Sequence, residues 1–182
     1  MVVIVYGFDG SGPGHWQRWL EAQLEELQVP CVFPDLPDPT APQKDSWVAA
    51  LGEIVATSAE PVTFVGHSLG CWAVDHLISA RGATGIRAAL LVTPPSPFLL
   101  FEPVATFFPP PRAAAAWQPI AAQSLLVGSD NDEFTAPEEF EEMARALGIA
   151  WRIIPGAAHM NAESGYGPWP FALDWLRVVG EL

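Results

Sequence analysis

The segment Val62-Thr63-Phe64-Val65-Gly66-His67-Ser68-Leu69-Gly70-Cys71-Trp72 decides how the rest of the chain is read. Val62 to Val65 has strand composition and runs directly into Gly66-x-Ser68-x-Gly70, and Leu69 to Ala80 reads as a helix that follows without a loop. A strand that turns straight into a helix strains the residue at the corner, and glycines two positions before and after it let the two elements approach closely. Ser68 is therefore expected above the carboxyl end of a strand, with its hydroxyl presented outward at the positive end of the helix. A tight turn of small residues is the plainer explanation of a bare Gly-x-Ser-x-Gly. The flanking strand and helix favour a nucleophilic serine, with the Leu69 N–H available to an oxyanion.

A serine hydroxyl is a weak nucleophile at neutral pH and needs a base, and histidine, with an unperturbed pKa near ~6.5, takes and returns a proton readily. His159 follows the strand-like run Trp151 to Ile154 and the turn Pro155-Gly156-Ala157-Ala158, which makes it the base by position. His67 adjoins the serine and should point away from it, His76 lies on the following helix, and His15 sits beside a glycine-rich loop where it could line a site. The base needs a carboxylate to fix its tautomer. Asp130 and Asp132, after the strand-like Ser124 to Gly128, are both placed for this, and either could instead cap the turn before Thr135. The chain order Ser68, Asp132 or Asp130, His159 is that of the α/β-hydrolase triad.

Upstream, Val2 to Tyr6 is apolar throughout, as expected of a strand covered on both faces, and ends in Gly7-Phe8-Asp9-Gly10-Ser11-Gly12-Pro13-Gly14. Backbone can approach a ligand closely there, and Phe8 N–H is the expected second oxyanion donor beside Leu69. A helix should run from His15 to about Gln28, with Trp16 and His15 candidates for contacting substrate. The glycine spacing does not match a dinucleotide fingerprint, and no His-x-x-x-His or His-x-His pair exists, so neither cofactor nor metal is expected.

Cys31 to Phe33 reads as a short strand, the proline-rich loop Pro34 to Lys44 follows, and Asp45 or Ser46 should cap a helix to about Ala59. After the strand Ala88 to Val92, the stretch Thr93 to Trp117 is broken by prolines and carries Phe98, Phe101, Phe107, Phe108 and Trp117. It is either a lid or substrate wall, or a cover for the sheet edge. Thr135-x-x-Glu138 reads as a capping box for a helix to Leu147, and a last helix should span about Trp169 to Val179. Strands alternating with helices imply an α/β fold: about six mostly parallel strands with helices on both faces. The expected organisation is a single domain over 1–182, with a proline- and aromatic-rich insertion at about 94–117.

A chain of 182 residues can bury a substantial core without staples. Its net charge of -13 argues against a nucleic-acid partner. No apolar run approaches a membrane span, the amino-terminal run shows no signal-peptide pattern, and only Cys31 and Cys71 are present. A reducing, cytoplasmic setting and a small-molecule partner are the expectation.

The chain resembles the small α/β serine hydrolases that include retinoblastoma-binding protein 9 and many bacterial proteins. The resemblance covers nearly the whole length. It rests on Gly7 with Gly12-Pro13-Gly14-His15-Trp16-Gln17, on Asp45-Ser46-Trp47-Val48, on Gly66-His67-Ser68-Leu69-Gly70, and on Ser129-Asp130-Asn131-Asp132. The most specific block is Ala158-His159-Met160-Asn161-Ala162-Glu163-Ser164-Gly165 with Gly167-Pro168-Trp169-Pro170. The resemblance implies a compact α/β-hydrolase fold and Asp132 as the acid, although Glu133 stands where the family usually has proline. It implies a Ser-His-Asp hydrolase of carboxylesterase-like character acting on an ester, thioester or amide through an acyl-enzyme, without naming the substrate. The other reading is a protein-binding module that keeps the fold with turnover incidental or absent.

Overall fold

The computed structural model describes residues 1–182. Six strands form one sheet: β1 (Val2–Val5), β2 (Cys31–Val32), β3 (Val62–His67), β4 (Ile86–Val92), β5 (Leu125–Ser129) and β6 (Ala150–Ile154). Their order is β2-β1-β3-β4-β5-β6, and all five pairings are parallel. The helices are α1 (Trp16–Glu26), α2 (Lys44–Thr57), α3 (Leu69–Arg81), the single turn α4 (Ala114–Trp117), α5 (Pro137–Leu147) and α6 (Pro170–Val178). None is long and apolar enough to cross a membrane.

The uninterrupted apolar runs of the inner strands follow from burial on both faces. Val3, Val5, Phe64, Ala89 and Leu91 face a layer that includes α2, α3 and α5. Val2, Ile4, Val65, Leu90 and Val92 face α1 and α6. Because side chains alternate, neighbouring residues of one strand serve opposite layers. β4 begins earlier than its apolar run suggests, because Arg87 interrupts the pattern; its guanidinium pairs with Glu181 at 3.0 Å at the amino edge of the sheet.

Two helix starts differ from expectation. α2 begins at Lys44 with Gln43 as an N-cap that makes no side-chain bond, so Asp45 lies in the first turn instead of capping it. The Lys44 N–H is taken by Thr106 Oγ1 at 3.1 Å, which removes the need for a local cap. At α5 the capping residue is Ala136, and Glu139 rather than Glu138 reaches back to its N–H at 2.9 Å. Thr135 is drawn off by the Pro94 carbonyl at 2.9 Å, so tertiary contact shifts the start by one residue.

The stretch 94–117 divides into a buried part and an exposed part. Phe107 and Trp117 are fully buried against α2 and α3 and cover the sheet, whereas Phe98 and Phe101 are exposed. Its far end is tied to α3 by Asp75, whose buried carboxylate accepts from Trp117 Nε1 at 2.9 Å, Arg112 N–H at 2.9 Å and Ser79 Oγ at 3.1 Å. Burial raises the Asp75 pKa despite these donors. A 3-10 turn over Glu102–Phe107 adds a second anchor, since the Phe107 carbonyl lies 2.9 Å from His76 Nε2.

α3 lies very close to β1. A Cβ on Gly70 would collide with the carbonyl oxygens of Val5 and Tyr6, and one on Gly66 would lie 3.2 Å from Cys71 N. Neither neighbour is a flexible side chain that can yield. Gly70→Ala should therefore destabilise the fold by about 3 kcal/mol, at the upper end of overpacking costs. Urea unfolding measures this, and a wild-type midpoint would contradict the close approach.

Candidate active site

Ser68 sits between β3 and α3 with φ 52° and ψ -126°, a conformation sparsely populated by side chains other than glycine. It is held there from both directions: its N–H donates to Val92 O at 2.9 Å and its carbonyl accepts from Cys71 N at 3.0 Å. Gly7 faces it so closely that a Cβ would come within 2.8 Å of Ser68 Cβ and 3.2 Å of its Oγ. The glycine after β1 is thus required by the serine as well as by its own loop.

His159 Nε2 lies 2.9 Å from Ser68 Oγ, and its Nδ1 lies 2.9 Å from Asp132 Oδ2 and 3.1 Å from Oδ1. The Asp132 side chain is wholly buried and that of His159 nearly so. Asp130 is occupied elsewhere, accepting the Gly156 N–H at 2.7 Å. Between them, Asn131 Oδ1 accepts the Ala158 N–H at 2.7 Å. Three consecutive side chains after β5 therefore grip the backbone and ring of the loop that carries His159.

That loop is also braced from beneath. The His159 carbonyl accepts the Thr93 hydroxyl at 3.1 Å and lies 2.9 Å from His67 Nε2. His67 points away from the serine, and its contact is with the backbone of His159. Asp9, Ser68, Thr93, Ala158 and Met160, five of the eight non-glycine residues with positive φ, lie at this end of the sheet. Backbone strain is concentrated where the side chains converge.

The glycine-rich loop is fixed by contacts its composition does not advertise. Asp9 N–H donates to Pro39 O at 2.8 Å, which ties it to the proline-rich loop. Gln17, fully buried, accepts from Ser11 Oγ at 2.7 Å and donates to Val5 O and Val65 O at 3.0 and 3.2 Å. Phe8 N–H donates to no group of the chain, and Leu69 N–H opens α3, whose first amides lack intrahelical acceptors. Both residues line a cavity of about 770 Å³ together with Ser68, His159 and His15.

His15 caps α1, its Nδ1 accepting the Gln17 N–H at 3.1 Å, so the neutral ring carries its proton on Nε2, which has no partner. Trp16 does not reach the cavity. It is fully buried against Trp169 and His67, because the first turn of α1 rotates it into the layer shared with α6. The block after His159 packs there too: Trp16 N–H donates to Tyr166 O at 2.9 Å, and Asn161 and Ser164 exchange backbone-to-side-chain bonds at 2.9 Å. Gly12 to Gln17 and His159 to Trp169 are thus distant in sequence and joined in space.

Neither thiol competes as nucleophile. Burial pushes Cys31 up to about 12 and Cys71 higher still, and both are free. No three His, Cys, Asp or Glu side chains converge as a metal-binding group. Sequence reasoning assigned no role to Gln17, Thr93 or Asn131, and it turned His67 away from the serine without finding its contact with the His159 carbonyl. Gln17 left a signal as a polar residue on the apolar stripe of Leu20 and Leu24.

A sequence model of the serine hydrolase family matches residues 2–178. The chain belongs to that family. YdeN of Bacillus subtilis (strain 168) is 23% identical over 181 residues, covering 96% of this chain and 93% of its own. Its crystal structure superposes with a TM-score of 0.84 at 22% identity, over 98% of this chain and 97% of that one. A YdeN-like protein of Pectobacterium atrosepticum gives 0.81 at 25% identity, over 100% and 90%. Est1E of Butyrivibrio proteoclasticus, solved with ferulic acid bound, shares the fold at a TM-score of 0.69 and 17% identity, over 97% and 89%. The chain is accordingly an α/β serine hydrolase by family and fold.

Two buried histidines should make this serine hydrolase less stable as pH falls. Burial, then the charge of His159, lowers His15 to about 4 and His67 well below its ordinary value. In the unfolded chain both titrate near ~6.5, so between that pH and about 4 the unfolded state binds more protons and stability falls as pH falls. Each contributes a slope of up to about 1.4 kcal/mol per pH unit. His15→Asn, which keeps a capping side chain, should flatten the stability profile between pH 6.5 and 4.5 by roughly one such contribution. Urea unfolding across that range checks it, and a profile parallel to wild type would count against it.

Proposed function

We propose that this serine hydrolase cleaves a small ester, with thioesters or amides as chemical variants, through an acyl-enzyme on Ser68. The observation that carries the reading is the unbroken line Ser68 Oγ, His159 Nε2, His159 Nδ1, Asp132 Oδ2, with 2.9 Å at each junction between residues. Ser68 Oγ attacks the acyl carbonyl as His159 Nε2 takes its proton. The developing oxyanion is held by the N–H groups of Leu69 and Phe8. His159 then gives the proton to the leaving group, the C–O bond breaks, and an acyl-serine remains. Water attacks that acyl group with His159 again as base, releasing the acid and restoring the serine. Asp132 keeps the histidine proton on Nδ1 and stabilises the imidazolium. No cofactor takes part, and the two free thiols favour a reducing, cytoplasmic setting.

A fluorophosphonate probe tests the nucleophile: wild type should label at pH 8 and Ser68→Ala should not, and equal labelling would return the chain to the binding-module reading. Asp132→Asn should lose about 10⁴-fold in kcat, as tautomer control fails, while Asp130→Asn should lose far less. Ester hydrolysis by the two variants decides between the carboxylates. The kcat/KM of wild type should fall as pH drops, because a protonated His159 cannot take the Ser68 proton, whereas a flat profile from pH 5 to 8 would remove His159 from the mechanism.

A further inference from the structure

The cavity over Ser68 has two kinds of wall. Gly7, Ser68, His159 and Asn161 supply polar groups, whereas Pro95, Leu99, Leu100, Phe101 and Val104 supply an apolar surface from the 94–117 stretch. Leu99, Leu100 and Phe101 also line a second cavity of about 760 Å³, bounded further by Pro97, Phe98 and Phe108. The three residues form a ridge shared by both. Phe101 stands edge-on to Phe8 at 5.2 Å, next to the oxyanion loop, and Phe134 stands edge-on to His159 at 4.6 Å.

This apolar surface is not hidden. Leu100 is 98% exposed and Phe98 73%, and Phe98, Leu100, Phe101 and Phe134 make up half of the exposed large apolar side chains of the chain. Scattered exposed leucines need no explanation, but a cluster at the mouth of a polar site marks a surface that is covered when a ligand binds. The charged residues on both cavities are Asp9, Glu102 and Glu163, with no lysine or arginine. An anionic acyl group or an anionic lipid surface is therefore disfavoured, and a neutral chain is not.

We propose that the Leu99–Phe101 ridge is an acyl-chain track, and that the preferred substrates are soluble esters or thioesters with an uncharged, medium-length acyl chain. This rests on Ser68 being the acylated residue. The carbonyl sits at Ser68 between Phe8 and Phe134, and the chain runs over the ridge into the second cavity. A fully buried methylene strengthens binding about fourfold, so half-burial along an open track gives about twofold per methylene and about tenfold or more across four.

Two measurements test this. With the leaving group held constant, kcat/KM for 4-nitrophenyl octanoate should exceed that for the butyrate by about tenfold. That ratio should fall towards one in Leu100→Asn, whose exposed side chain can be replaced without touching the core. Separately, Ser68→Ala should bind octanamide about tenfold tighter than butanamide by calorimetry, and adding Leu100→Asn should erase the difference. Equal affinities overturn the track. If wild type resists fluorophosphonate while the amide preference holds, the acyl-enzyme reading fails and the apolar site stands. If it labels and no chain-length preference appears, the reverse is true. Dimerisation, or binding to phosphatidylcholine vesicles, that Leu100→Asn abolishes would assign the ridge to a second copy or a membrane surface and overturn the proposal.

Discussion

The backbone turn at Ser68 is the constraint on which the rest of the site depends. A side chain at φ 52° and ψ -126° costs on the order of 1–3 kcal/mol, and the fold sustains it only because the surroundings leave no alternative. β3 is hydrogen-bonded on both sides, α3 must lie against β1, and the chain has no loop residues between them in which to relax. The strain therefore stays at one residue. It lifts the hydroxyl clear of the sheet and places the first amide of α3 beside it, so the proposed nucleophile and one proposed oxyanion donor come from the same turn.

The other half of the site is held differently. His159 is on a loop, and loops are positioned by what grips them. Asp130, Asn131 and Asp132 grip it from the β5 side, and Thr93 and His67 from the β3 and β4 side. His159 is thus suspended from the ends of β3, β4 and β5. Burial favours the neutral state of His67, and this suits the proposed mechanism, in which a charged ring there would sit beside a His159 imidazolium.

Burial also divides the stretch 94–117. Its later aromatics, Phe107 and Trp117, are consumed by the core, and Asp75 fixes their end of the segment through a carboxylate that three donors satisfy. That anchoring leaves Leu99 to Phe101 at the mouth of the cavity. A segment with one end in the core and one at the site shapes a pocket without being an independent domain.

The sequence by itself determined the order of elements, the parallel sheet, the serine turn and the histidine, because each is written locally: apolar runs, helical spacing, and glycines at fixed offsets. Residue chemistry left Asp130 and Asp132 both open, since both are carboxylates in one loop, and the family resemblance pointed to Asp132. The tertiary structure sets Asp132 against His159 and Asp130 against the Gly156 N–H, because which carboxylate faces the ring depends on how β5 and β6 end beside each other. The same holds for Trp16, whose placement in the core instead of the cavity depends on where α6 lies. It holds too for the capping of α2 and α5, where Thr106 and Pro94 outcompete the local partners. Contacts between residues far apart in the chain leave no spacing rule behind, so the roles of Thr93 and Asn131 become legible only once the strands are side by side.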